Sequence, residues 1–248
     1  LPPQVASWLL LVYFGWQLFH FQQQNLGMAS LAASSQRVPS LHVAERRALI
    51  GSGLAGIAGL AAHPGLLQLG IRTGIGRLFG LAGAGFAIVA LTGVVALLRR
   101  PASERGAGFG AVYLMALLFP LPIFAFRSPY AAVGGMTVAH GLQYLLLLGL
   151  VAAGRRRDAF RALPVALMLA VGLWGGGLLT AASHLHNGAP ALRLLFGASV
   201  GLTMAHFVVD AGIWRLRDPF PRAFLAEHLP YLVPLRRAVE RDRAALRS

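Results

Sequence analysis

The chain has 248 residues, of which 56% are hydrophobic and only 12% charged, and its formal net charge is +14. A soluble domain carries about 25% charged residues, so this composition excludes a soluble globular protein and points to a polytopic membrane protein. The absence of cysteine and lysine excludes disulfides, thiolate metal ligands, iron–sulfur clusters and a retinal Schiff base.

The predicted fold class is all-α: a transmembrane helical bundle of about seven spans over residues 1–218, then a basic amphipathic tail over 219–248. A window of about 20 apolar residues is the length of one crossing. The first span runs from Val5 into the Gln22–Gln24 run and can continue to Ala33. It reads as a span rather than a cleaved signal, with no basic region ahead of it and no small-residue cleavage site. The second covers Ala48–Gly70, the third Leu78–Leu98, and the fourth Gly108–Phe126, bent by Pro120 and Pro122. The fifth covers Ala131–Ala153, the sixth Leu163–Ser183 and the seventh Ala191–Ile213. Glycines inside the spans, such as Gly51, Gly53, Gly56 and Gly59, are expected to let helix backbones approach closely.

All 22 basic residues are arginine. In a membrane protein such an excess marks cytoplasmic loops and anionic lipid head groups, not nucleic acid. Eighteen arginines follow spans one, three, five and seven, against four (Arg72, Arg77, Arg127, Arg193) on the other side. This split puts the N-terminus outside and the C-terminus in the cytoplasm, in a bacterial inner membrane. In the tail, Phe220, Phe224, Leu225, Leu229, Tyr231 and Leu232 alternate with arginines, as in a segment lying on the membrane surface.

The polar residues inside the spans are the candidates for chemistry. Asp210 is the only acidic residue within an apolar segment. A carboxylate in a span costs about 2.5–3.5 kcal/mol on insertion scales and needs a partner. His206 stands four residues before it, one helical turn away on the same face. The bland alternative pairs Asp210 with Arg215 or Arg217 near the interface. Span one carries Gln17, His20, Gln23 and Gln24 at helical spacing, and span five carries His140 and Gln143. Single polar residues in spans often serve as interhelical glue. Three such stripes in one small bundle point instead to a metal site formed by His20, His140, His206 and Asp210. Histidine is the commonest metal ligand, and its second ring nitrogen needs a partner; Gln23, Gln24 and Gln143 are expected in that supporting role. At 1.5 Å rise per residue His206 lies about 22 Å into its span and His140 about 14 Å, a spread to be closed by tilt and shifted helix ends. His63, before Pro64, reads as structural. His184 and His186 sit at the rim of span six, and His42 and His228 lie outside the spans.

Single histidines scattered over successive apolar spans, with an aspartate nearby, resemble the integral-membrane, histidine-ligated iron oxygenases, and among these the bacterial Brp/Blh type that cleaves β-carotene. The resemblance is architectural: chain size, span number, and His with Asp inside spans. That family's Pro-His-Gly-x-x-Asp element is absent. Ala-His-Gly at His140 is the nearest match and lacks the aspartate, so carotenoid cleavage is not carried over. His140–Tyr144 and His206–Arg215 also resemble His-x-x-Gln-Tyr and His-x-x-x-Asp-x-x-Ile-Trp-Arg elements of uncharacterised bacterial membrane proteins. The membrane desaturases are excluded, because the chain has no His-x-x-His-His box.

The leading expectation is a membrane-embedded metal-dependent oxidoreductase, with non-haem iron, acting on a lipophilic small molecule. Imidazole and carboxylate ligands with open positions suit iron. The alternatives are a haem b protein with two axial histidines, a proton-coupled transporter or channel relaying protons through Asp210, and a non-catalytic assembly subunit.

Overall fold

The computed structural model describes residues 3–153, 162–183, 189–213 and 218–229, which form helices and their links with no strand among them. Nine α-helices occur among the described residues: α1 (Pro3–Ser35), α2 (Val43–Ala62), α3 (Leu78–Leu98), α4 (Ala107–Leu117), α5 (Leu121–Ala125), α6 (Gly135–Ala153), α7 (Ala162–Ser183), α8 (Pro190–Ile213) and α9 (Pro219–His228). They fall into two compact units, Leu1–His140 and Gly141–Ser248, and the division falls within α6.

Helix ends follow local chemistry. At the end of α1, Arg37 takes the left-handed conformation (φ 57°). The Val38 N–H returns to the Ala33 carbonyl at 3.0 Å and the Arg37 N–H to Ser34 at 3.1 Å, the paired bonds of a Schellman stop. Helix α2 starts earlier and ends sooner than the expected Ala48–Gly70. Glu45 accepts the His42 backbone N–H at 2.8 Å and so fixes the start. Pro64 disfavours helical geometry in the residue before it, and His63 leaves the helix at φ −132°, ψ 66°. The bend expected in span four is a full break between α4 and α5 at Pro120. Span five begins with a π-helical turn, Tyr130–Gly134, before α6.

Among the described residues, three helices are long and apolar enough to cross a membrane: Leu78–Leu98, Tyr130–Val151 and Pro190–Asp210. The apolar stretches Ala107–Leu117 and Ala166–Gly175 are shorter. Helix α3 shows how such a helix divides its surface. Phe86, Ala90, Gly93 and Leu97 are buried, while Leu81, Ile88, Leu91 and Leu98 are exposed. Large apolar side chains facing outward are what a lipid solvent accepts and water does not. These helices mark a membrane protein.

Within Leu1–His140, α2 is the helix against which the others pack. A Cβ on Gly53 would come within 2.6 Å of the Gln22 side chain, and one on Gly56 within 2.8 Å of Pro120. The glycines therefore admit α1 and α5 at close range, as expected. One apolar cluster gathers Leu18, Phe21, Leu60, Leu66, Phe119, Ile123 and Met136. A second gathers Ala29, Ala48, Leu49, Phe109, Tyr113 and Leu117. Gln22 ties three helices by donating to the Leu49 carbonyl at 2.6 Å and to Ser52 Oγ and the Ala116 carbonyl at 3.3 Å.

Arg100 and Glu45 form a buried clamp beneath the second cluster. Arg100 Nε and Nη2 donate to the two Glu45 carboxylate oxygens at 2.6 and 2.7 Å. Nη1 and Nη2 also donate to the Pro39 and Ser40 carbonyls at 3.1 and 2.9 Å, and the guanidinium lies 4.8 Å from the Phe109 ring centre. The hydrogen bond to Glu45 raises the Arg100 pKa, outweighing the opposite pull of burial. A raised value means the cationic form is favoured by folding, and this contribution is fully present at neutral pH. The clamp joins the link before α2, the start of α2 and the end of α3.

Within Gly141–Ser248, α7 packs on α8. Asp218 stands at the N-cap of α9, with Pro219 in its first turn. Leu225 and Ala226 of α9 are buried and Phe220 is exposed. Of the expected tail, residues 230–248 lie outside the described residues.

Candidate metal centre

In the first unit, α1 brings His20 and α6 brings His140 into one apolar pocket of side chains. Both are buried, 7% exposed each. Their rings meet edge to face with centroids 5.2 Å apart, and each offers a ring nitrogen within 4.8 Å of the other's. Phe21 stacks on His140 at 4.0 Å between centroids and meets Phe119 at 6.0 Å. The stack packs one face of the His140 ring against Phe21. Two neutral imidazoles bound to one first-row ion hold their nitrogens about 2.0–2.2 Å from it, and so roughly 3–4 Å apart.

In the second unit, α8 carries the other pair. His206 Nε2 lies 3.5 Å from Asp210 Oδ2. Asp210 is buried and His206 partly exposed. The approach follows from the four-residue spacing on one helix. Tyr144 of α6 meets the His206 ring edge-on at 5.0 Å between centroids. A nitrogen and an oxygen 3.5 Å apart match two ligands of one tetrahedral ion, whose donors at about 2.0–2.2 Å subtend roughly 3.4 Å.

The glutamines expected to support the imidazoles differ among themselves. Gln24 is buried, and neither atom of its amide makes a hydrogen bond. Gln23 is exposed. Gln143 is partly buried on α6, three residues after His140. His63 ends α2 and tilts against Phe79 at 5.4 Å, a structural placement. His228 stacks on Phe224 at 4.2 Å. His184, His186, Arg215 and Arg217 lie outside the described residues.

Four residues gain roles that the sequence analysis did not assign. Tyr144 stands one turn after His140, inside the His-x-x-Gln-Tyr element, and that spacing was its signal. Phe21 was hidden among ordinary apolar residues. The Glu45–Arg100 pairing had no signal, since its partners are 55 positions apart and Arg100 is one of many loop arginines. Comparison of the chain with protein-family models, with curated proteins and with solved structures gives no match.

Proposed function

We propose that the chain is a membrane-embedded, metal-dependent oxidoreductase that holds non-haem iron through His20, His140, His206 and Asp210 and acts on a lipophilic substrate. The observation that carries this reading is the buried His20–His140 pair, whose ring nitrogens lie within 4.8 Å. Both rings are buried, they meet edge to face, and imidazole is the commonest metal ligand among side chains.

Three imidazoles and one carboxylate would leave positions open on a six-coordinate first-row ion, and ferrous iron held by them would supply oxygen chemistry. The protein's own residues do the rest. Asp210 brings negative charge beside His206 and favours its cation-binding orientation. The apolar walls keep bulk water from the site, and the exposed apolar helix faces let a substrate enter from lipid. The seven-span topology, the outside N-terminus, the bacterial inner membrane and the seating of the tail on anionic head groups belong to the same proposal.

Elemental analysis and an absorption spectrum of the purified full chain test it. About one iron per chain without a Soret band is expected. A Soret band would move the reading to haem b. No metal would leave proton relay or assembly as the role of these residues.

A further inference from the structure

Gln22 and Gln24 lie two residues apart on α1 and are both buried, yet they are used differently. The Gln22 amide is built into the bundle through Leu49, Ser52 and Ala116. The Gln24 amide makes no hydrogen bond through either its nitrogen or its oxygen, although only 9% of the residue is exposed. Burying an amide without partners carries a desolvation penalty that a leucine would avoid. Gln24 stands four residues after His20, so it shares the helix face that meets His140. On the next turn of that face Gly27 is open: a Cβ there would meet nothing within 4 Å.

We infer that the Gln24–Gly27 turn of α1 is a binding subsite for the hydroxyl end of a long-chain alcohol. This subsite rests on the reading of the bundle as acting on a lipophilic molecule beside the His20–His140 pair, and it names the polar group that molecule carries. An amide offers both a donor and an acceptor. A hydroxyl answers both at once. A ketone would answer only the N–H, and an ionised carboxylate, which only accepts, would also answer only the N–H while bringing a charge into the apolar bundle. The gap at Gly27 gives the alkyl chain a place to lie against the helix backbone.

The test uses the full chain purified in detergent. Tritiated hexadecanol is the probe in a scintillation-proximity assay, with hexadecanol or hexadecane as competitor. Wild type is expected to prefer the alcohol about tenfold, the worth of one or two net hydrogen bonds. Gln24→Leu is expected to bind the two alike and to melt at a higher temperature, because an unpartnered amide is removed. Gly27→Phe, which fills the open turn, is expected to lose the probe while keeping the metal content of wild type. Chelator-treated wild type is expected to keep the alcohol preference, so failure of the metal reading and failure of the subsite are seen separately. Equal affinity for alcohol and hydrocarbon in wild type overturns the subsite. So does an unchanged preference, or a lower melting temperature, in Gln24→Leu. If Gly27→Phe does not fold, Gln24→Leu decides.

Discussion

Arg100 and Glu45 are 2% and 0% exposed, and His20 and His140 are 7% each, so two polar clusters in the first unit are buried to much the same depth. Their chemistry differs. In the clamp, opposite charges face each other and further Arg100 donors reach the Pro39 and Ser40 carbonyls. In the histidine pair, two side chains of the same kind meet, and neither can neutralise the other. The clamp is complete as it stands and has no capacity left for a ligand. The histidine pair is built from the side-chain type that most often ligates a metal. Burial of polar groups alone therefore does not mark a functional site; the chemistry of the groups brought together separates the two clusters.

The largest effect expected from breaking this contrast is at the clamp. Arg100→Ala leaves the Glu45 carboxylate buried without its partner and is expected to cost about 3–5 kcal/mol, read as a lowered melting temperature with metal content per folded chain unchanged. The double variant Arg100→Met/Glu45→Leu is expected to regain most of that loss, because apolar residues of similar volume replace buried ion pairs with little penalty. His20→Ala and His140→Ala should do the reverse. Each is expected to lower iron affinity by more than about 100-fold, beyond the 10–100-fold typical of outer partners, and to lower the melting temperature of the metal-free chain by less than Arg100→Ala does, through the cavity that the lost ring leaves. A comparable loss of stability in these variants would place the histidines with the clamp as structural groups. Asp210→Asn keeps the shape of the side chain and removes its charge; as a direct ligand its loss is expected to lower iron affinity, measured by competition with a chelator, by more than the roughly 10–100-fold typical of outer partners. The smallest effect belongs to Gln23→Ala. This residue is exposed, and its replacement is expected to change stability by less than about 0.5 kcal/mol with no change in metal content.

Much of the helical framework could be read before any coordinates. Helix α3 coincides with the expected Leu78–Leu98, because an uninterrupted apolar run bounded by arginines leaves little choice of ends. The breaks were harder. Pro64 and Pro120 were visible, but whether a proline bends a helix or ends it depends on what packs beside it. The spacing of Gln23 and Gln24 from His20 left both on the candidate face. Successive residues turn by about 100°, so the fourth residue lies about 40° from His20 and the third about 60° to the other side; packing buries Gln24 and leaves Gln23 exposed. The four-residue spacing of His206 and Asp210 fixed their approach, since it depends only on local helix geometry. The meeting of His20 with His140 and of Glu45 with Arg100 depends on contacts between distant helices. Only the first pair left a trace in sequence, as polar residues where lipid disfavours them.

X-ray absorption at the iron edge, on the full chain loaded with ferrous iron, tests the metal centre most directly. The expected result is about three imidazole ligands at roughly 2.0–2.2 Å with one oxygen donor, falling by one imidazole or losing iron altogether in His140→Ala. Iron surrounded only by solvent oxygen, or a chain that takes up no iron, would contradict the assignment of His20, His140, His206 and Asp210 to one ion.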